Sequence, residues 1–508
     1  MGRGGHDRPP SQIRAWTGDL PLEFPEGARN NRRAGRHLVG RNLDSNEGAH
    51  IRYLVVVDGE HYPPVVEAAL GELAASKRTP IAVVFAGGTE KLPAGGEASF
   101  GDIPVRTGAD PRAVLERALV EFAPDAVMDL SDEPVLDARR RHELASIALY
   151  RGIAYEGADF RFAPPPRPRL STKPSIAVIG TGKRTGKTAV AGFAARVLSD
   201  AGRSPVIVAM GRGGPEEPEV LRGDRVDFTP HDLLALADSG KHAASDYIED
   251  ALLGRVPTVG CRRCGGGVAG AVEISNVGRG VEIANDLPGD LLLLEGSGSA
   301  IPPVHADVTG LVVPASCPEE YIAGYFGPYR LLLADFVVVT MCEYPFGTLS
   351  QVSRITDRIR TAFRSTIGPG GDEGEIQVAR TVFRASPTRS VEGRTAFVAT
   401  TAPEPAGEPI RRFLEEEHGC RVVGISHALS DRARLEKDLD VIDRREADVL
   451  LCEIKAAGID VATRRALDAG IEVVYMDNVP VGVHGDDPAE IVRAAAERAV
   501  QRHRNGHK

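Results

Sequence analysis

The segment Gly180-Thr181-Gly182-Lys183-Arg184-Thr185-Gly186-Lys187-Thr188 carries the residue types that hold a nucleotide's phosphates. Glycines at 180, 182 and 186 let backbone N–H groups converge on phosphate oxygens without Cβ clashes. A helix opening directly behind the loop adds unpaired N–H groups and the positive end of its dipole. In that cradle Lys187 is expected to pair with the β- and γ-phosphates, and Thr188 to hold Mg²⁺ through its hydroxyl. Lys183 and Arg184 supply further positive charge for a transferring phosphoryl group, and Thr185 completes the ATP-binding set. The chemistry this predicts is ATP-dependent phosphoryl transfer.

The fit to G-x-x-x-x-G-K-[ST] is not plain, because the loop is one residue longer: Thr181 stands five before Gly186, and the nearer glycine is Gly180. In this it resembles the dethiobiotin-synthetase-like branch of P-loop proteins, whose second-strand acid stands in Glu-Gly-small-Gly. Leu294-Glu295-Gly296-Ser297-Gly298 has that form. Glu295 is therefore the second expected Mg²⁺ ligand, direct or through water. Two rival readings stay open. Gly180-x-Gly182-x-x-x-Gly186 with Arg212 could bind NADP in an oxidoreductase, which leaves Lys187, Thr188 and Glu295 without a role. Alternatively, ATP hydrolysis could switch a protein partner without product chemistry.

Other loops gather cations. Gly211-Arg212-Gly213-Gly214-Pro215 follows an apolar strand, and Arg212 can take phosphate there; its other reading is a Gly-Pro turn with an acidic edge. Cys261-Arg262-Arg263-Cys264-Gly265-Gly266-Gly267 reads as an anion loop through Arg262 and Arg263, with the thiols packed. Zinc would need a further ligand pair, and none is evident. Lys455 in Glu453-Ile454-Lys455 and His305 in Pro302-Pro303-Val304-His305 are further candidate substrate contacts; each is also an ordinary loop residue. Of 61 basic residues only nine are Lys, so a retained Lys at 183, 187 or 455 is the more telling.

The elements that must position these residues have an α/β rhythm. Apolar strands at 53–57, 81–85 and 126–130 alternate with helical segments and imply an N-terminal doubly wound, Rossmann-like domain over 49–162. Asp58, Glu60, His61, Gly87 and Gly88 lie past strand ends, where such sheets bind ligands or merely cap turns. The stretch 163–174, with Ala163-Pro164-Pro165-Pro166-Arg167-Pro168-Arg169, is a stiff linker. A P-loop NTPase-type parallel sheet domain follows over 175–367. After a Gly-rich break at 368–374, an α/β region over 375–508 either extends that sheet or stands as a third domain. Residues 1–48 read as a mobile, Arg-rich tail.

Composition bounds the function. The chain has 508 residues, 42% hydrophobic and 26% charged, with no apolar run long enough for a bilayer span. Met1-Gly2-Arg3-Gly4-Gly5-His6 has no apolar signal core, and six scattered cysteines suit a reducing compartment, so a cytoplasmic location is expected. A net charge of −10 argues against general nucleic-acid binding while leaving room for a local cationic pocket.

Together the phosphate loop, Val208-Ala209-Met210-Gly211-Arg212-Gly213-Gly214-Pro215-Glu216-Glu217-Pro218-Glu219, Cys261-Arg262-Arg263-Cys264-Gly265-Gly266-Gly267 and Glu453-Ile454-Lys455-Ala456-Ala457-Gly458-Ile459-Asp460 resemble the cyclic 2,3-diphosphoglycerate synthetase family. The resemblance runs from about residue 50 to about 480. It implies an ATP-dependent ligase that closes 2,3-diphosphoglycerate into a cyclic product, releasing ADP and phosphate. On that reading Arg212, Arg262, Arg263, Lys455 and His305 face the substrate. The N-terminal domain either holds the diphosphoglycerate or makes a homodimer.

Overall fold

The computed structural model describes residues 50–88, 99–240, 246–367, 375–440 and 447–506. The expected tail at 1–48 and the Gly-rich break at 368–374 lie outside these.

The first sheet contains β1 (Ile51–Val57), β2 (Arg78–Phe85), β3 (Val105–Arg106), β4 (Ala126–Asp129), β5 (Ala154–Glu156) and β6 (Arg161–Phe162), in the order β3-β2-β1-β4-β5-β6. All pairs but β5–β6 are parallel. Helices cover both faces, so β1 buries a continuous run from Tyr53 to Val57. Helix starts are set locally. Pro63 and Pro111 occupy first-turn positions where a missing N–H costs nothing, and the Asp110 carboxylate accepts from Arg112 N. The order reverses between β1 and β4, and their carboxyl ends form the crevice where open α/β sheets take ligands.

In the second sheet, strands pair from β7 (Ser175–Gly180), β8 (Pro205–Gly211), β9 (Glu219–Arg222), β10 (Pro257–Cys264), β11 (Ile274–Ser275), β12 (Leu291–Glu295), β13 (Val308–Pro314) and β14 (Phe336–Thr340) through to the C-terminal region. There β15 (Gln377–Pro387), β16 (Thr395–Ala399), β17 (Arg421–Ser426), β18 (Val449–Glu453) and β19 (Glu472–Gly482) continue it. The path is β11-β10-β8-β12-β7-β13-β14-β15-β19-β18-β16-β17, with β9 on β10. The strands before and after residue 375 are joined by β15. Its first residues pair parallel to β14, and Thr381–Pro387 pair antiparallel to β19. The strands after residue 375 therefore run on from the phosphate-loop sheet, and strand direction reverses at that join.

The closing helix Pro488–Gly506 returns across β7, β13 and β14 and packs on helix Lys187–Asp200. The linker is pinned to the second sheet's side. Lys173 Nζ donates to Ala284 O and Leu287 O, and Thr172 N donates to Asn285 Oδ1. Phe162 and His142 of the N-terminal domain meet Phe326 edge to face, joining the two sheets by aromatic contacts. Among the described residues no helix is long and apolar enough to cross a membrane.

Candidate active site

β7 delivers the glycine loop at its carboxyl end, beside the ends of β12 and β13. Gly186 takes φ +89° at the turn into helix Lys187–Asp200, a left-handed conformation that a side chain disfavours. A Cβ there would also collide with the ring of Phe383 on β15. Gly186→Ala is therefore expected to lower stability by about 2–4 kcal/mol, from left-handed strain and overpacking together. Thermal melts check this, and adding Phe383→Ala should recover only the steric part.

Lys187 is 7% exposed, and its Nζ donates to Gly182 O at 2.8 Å and to Thr185 Oγ1 at 3.2 Å. Burial, with help from Arg212 and Arg263, lowers its pKa to about 8. Thr188 Oγ1 donates to Glu295 Oε1 at 2.7 Å, bringing together the two expected magnesium ligands. Burial, then the nearby Asp246 charge, raises the Glu295 carboxyl to about 7. Lys183 and Arg184 are exposed on the outer turn of the loop.

Arg212 and Arg263 close the other side. Arg212 reaches over Gly298 so tightly that a Cβ there would clash with its guanidinium. Arg263 Nη2 donates to Ser297 O at 2.7 Å, while its Nε is buried without a partner among the described residues. Burial, then the Arg212 charge beside it, pushes the Arg263 pKa down. Neither arginine has a carboxylate within 4.0 Å among the described residues. Three cations thus crowd one space above the Glu295–Gly298 turn, which is the electrostatics of a pocket awaiting a polyanion.

Strand alternation separates the paired arginines of β10. Arg263 faces the site; Arg262 points to solvent, 3.9 Å from the exposed Glu216. The cysteines part likewise: Cys261 is buried against Gly280 with its thiol pushed up to about 12, and Cys264 is exposed.

Besides Arg262, which turns away from the site, two more expected contacts are placed differently. Lys455 Nζ pairs with Glu249 at 2.9 Å and faces an acidic wall behind Thr188, not the three-cation space. Although burial alone would lower its pKa, Glu249 and Glu453 hold it above the ordinary lysine value. His305 stands ahead of β13, at the end of the sheet where strands begin, and its N donates to Pro168 O. A strand of six residues at about 3.3 Å each leaves roughly 20 Å between it and the loop, so His305 does not reach a substrate held there.

Asp246, Glu249 and Asp250 were not singled out from the sequence. They lie within little more than one turn on helix Asp246–Gly254, facing Glu295. The i, i+3, i+4 spacing of acids in Asp246-Tyr247-Ile248-Glu249-Asp250 is the signal that marks them. Neither Asp250 oxygen has a partner that carries a proton of its own. Asp250 and Glu295 lie together, so a bond between them needs a shared proton. Burial, then the Glu295 charge, places that proton on Asp250 by raising it well above the usual carboxylate range.

In the N-terminal crevice the capping reading of Asp58 accounts for its contacts. The carboxylate accepts from Glu60 N, His61 N, His61 Nδ1 and Asp132 N. Burial works against its charge, yet these bonds bring its pKa below the ordinary value. Asp58 thus organises the loop internally, and Gly87 and Gly88 meet it through Gly59 N, which donates to Gly87 O.

Fold and site together define a P-loop nucleotide-binding α/β protein with a cationic pocket beside the phosphate loop. The particular family follows from comparison with known proteins. Family models of cyclic 2,3-diphosphoglycerate synthetase match in three parts: the N-terminal domain over 52–163, the P-loop domain over 175–367 and the C-terminal domain over 387–479. The cyclic 2,3-diphosphoglycerate synthetase of Methanothermobacter thermautotrophicus is 45% identical over 457 residues, covering 88% of this chain and 96% of that protein. That of Rubrobacter xylanophilus is 44% identical over 457 residues, covering 90% and 99%. That of Methanothermus fervidus is 45% identical over 438 residues, covering 85% and 93%. The chain belongs to the cyclic 2,3-diphosphoglycerate synthetase family.

Proposed function

We propose that this chain is an ATP-dependent ligase that closes 2,3-diphosphoglycerate into cyclic 2,3-diphosphoglycerate, with release of ADP and phosphate. The observation that carries this reading is the convergence of Lys187, Arg212 and Arg263 on one space, none of them in an ion pair within 4.0 Å among the described residues, with Glu295 and Asp246 acting on them only from farther off. Ring closure forces two phosphates together. Two unit charges 4 Å apart repel by about 4 kcal/mol at an effective dielectric of ~20. Each charge-assisted contact returns roughly 1.5–3 kcal/mol, so three clustered cations are of the size needed to offset that repulsion. Family membership supports neither an NADP-dependent oxidoreductase nor an ATPase switch.

The donors beside the loop suit magnesium. Thr188 and Glu295 are hard oxygen ligands, and among the described residues the only proton within reach of the buried Glu295 Oε2 is the one it shares with Asp250, which a cation would displace. Magnesium held there would neutralise charge on the β- and γ-phosphates. The chain's own groups do the rest. Lys187 exchanges its bonds to Gly182 O and Thr185 Oγ1 for phosphate oxygens, and Arg212 and Arg263 hold the diphosphoglycerate. One substrate phosphate takes the γ-phosphoryl group from ATP. The other then attacks the first at phosphorus, forms the anhydride and expels the former γ group as phosphate. With oxygen-18 in the nonbridging γ positions, the label should leave in phosphate; label in the cyclic product would sink that order.

Activity itself is tested by measuring ADP release across a panel of phosphoglycerates. Release that requires 2,3-diphosphoglycerate supports the synthetase, and release indifferent to it refutes the reading. Arg212→Ala and Arg263→Ala are each expected to lower kcat/KM for the diphosphoglycerate by about 10²-fold, while affinity for an ATP analogue changes far less. Arg262→Ala, pointing to solvent, should stay within a fewfold of wild type.

A further inference from the structure

A second cavity of about 440 Å³ opens at the opposite end of the phosphate-loop sheet. Five stretches that are remote in sequence build it, among them Leu332 to Asp335 ahead of β14. The Pro-rich linker supplies Arg167 and Arg169, the segment ahead of β13 supplies His305, and the closing helix supplies Arg502. Tyr150, the last residue of helix Ala138–Tyr150, reaches in from the N-terminal domain.

The charges in its wall are unbalanced. Its acids, Asp307 and Asp335, are already engaged. Asp307 accepts from Ser175 N and Ser175 Oγ at 2.9 Å each and lies 3.2 Å from His503. Asp335 accepts from Thr309 N at 2.8 Å and pairs with Arg502 at 2.7 Å. Arg167 and Arg169 have no carboxylate within 4.0 Å among the described residues. The neighbouring prolines at 164, 165, 166 and 168 stiffen the backbone that carries them, so little conformational freedom is lost when a ligand engages both. Burial, then the charges of Arg169 and Arg167, lowers His305 to about 4, leaving a neutral ring that can exchange a hydrogen bond with a ligand.

We propose that this cavity is a second anion site, separate from the reacting centre, that takes a diphosphate-bearing small molecule between the Arg167 and Arg169 guanidiniums. Guanidinium forks match phosphate oxygens in pairs, and the cavity lies in the size range of small-ligand pockets. The group bound there belongs either to a small diphosphorylated acid or to a nucleoside diphosphate. Its distance from the phosphate loop, a full strand length, means that it is bound without being turned over.

The test uses the full-length protein with its phosphate loop first filled by a non-hydrolysable ATP analogue and Mg²⁺. Pyrophosphate, and in a parallel arm ADP, are titrated in by calorimetry. The expected result is a further binding event that weakens at least tenfold in Arg167→Ala/Arg169→Ala and much less in Arg167→Lys/Arg169→Lys. Affinity for the ATP analogue should stay within twofold of wild type, which shows that the fold is intact. Tighter binding of pyrophosphate than of ADP assigns the site to a small acid, and the reverse assigns it to a nucleoside diphosphate; both support the site. No further binding by either probe, or binding that Arg167→Ala/Arg169→Ala retains even when Arg212→Ala/Arg263→Ala has removed the diphosphate contacts of the reacting centre, overturns it.

Discussion

Lys187→Ala is expected to reduce ADP release by about 10³-fold or more, the range seen when a preorganised cation is removed from a phosphoryl-transfer site. The side chain is almost wholly enclosed, and its Nζ rests on Gly182 O and Thr185 Oγ1. Its pKa of about 8 shows how poorly the protein's own groups support that charge where it is buried. A triphosphate supplies the missing negative charge, so the ammonium is stabilised most when the transferring group is most anionic. Lys187→Met separates charge from packing, because it keeps the aliphatic stem that fills the space. Activity should fall equally in both variants, and the melting temperature of Lys187→Met should stay close to wild type. Steady-state ADP release and thermal melts measure the two quantities. Wild-type turnover in Lys187→Met would remove the loop from the chemistry.

Legibility in the sequence follows how local the cause is. The phosphate loop depends on neighbours in the chain, since its glycines, Lys187 and Thr188 occupy one turn between a strand and a helix, and residue order alone identifies them all. The Glu295 turn is legible for the same reason. Strands such as Tyr53–Val57 show as unbroken apolar runs because both faces of a parallel sheet are buried. The join at β15 is not legible. One strand pairs parallel on one side and antiparallel on the other in successive halves, and nothing in Gln377–Pro387 encodes which partner lies beside it.

The site's remaining parts are visible in the sequence as residue types but not as positions. Arg262 and Arg263 look alike in sequence, and only the twofold alternation of β10, anchored by burial of Cys261, decides that Arg263 turns inward. His305 follows the Glu295 strand by a short loop, which suggests proximity. That loop instead runs back to where β13 begins, as a crossover between parallel strands must, and carries the histidine to the far end of the sheet. Lys455 does sit past a strand's carboxyl end, but Glu249, more than 200 residues earlier, claims its charge.

Glu295→Gln should produce two effects of opposite sign. The carboxylate is 2% exposed, yet its pKa stands near 7, through burial first and the neighbouring Asp246 charge second. A carboxyl whose folded pKa exceeds its ordinary value of 4.5 binds a proton more tightly in the folded chain. Its ionisation therefore subtracts stability as pH rises from about 4.5 to 7, by on the order of 3 kcal/mol at the upper end. Gln keeps the shape and still accepts the Thr188 hydroxyl, so in metal-free buffer the variant should melt close to wild type at pH 5 and above it at pH 8. Activity should move the other way. Without an anionic oxygen beside Thr188 the magnesium concentration giving half-maximal rate should rise, and kcat should fall by about 10²–10³-fold. A purely structural acid would give the stability gain alone, and a purely catalytic one would give the activity loss alone. Both together, read from melts at two pH values and from magnesium titrations of ADP release, are expected of a buried acid whose cost to the fold is offset by the cation it holds.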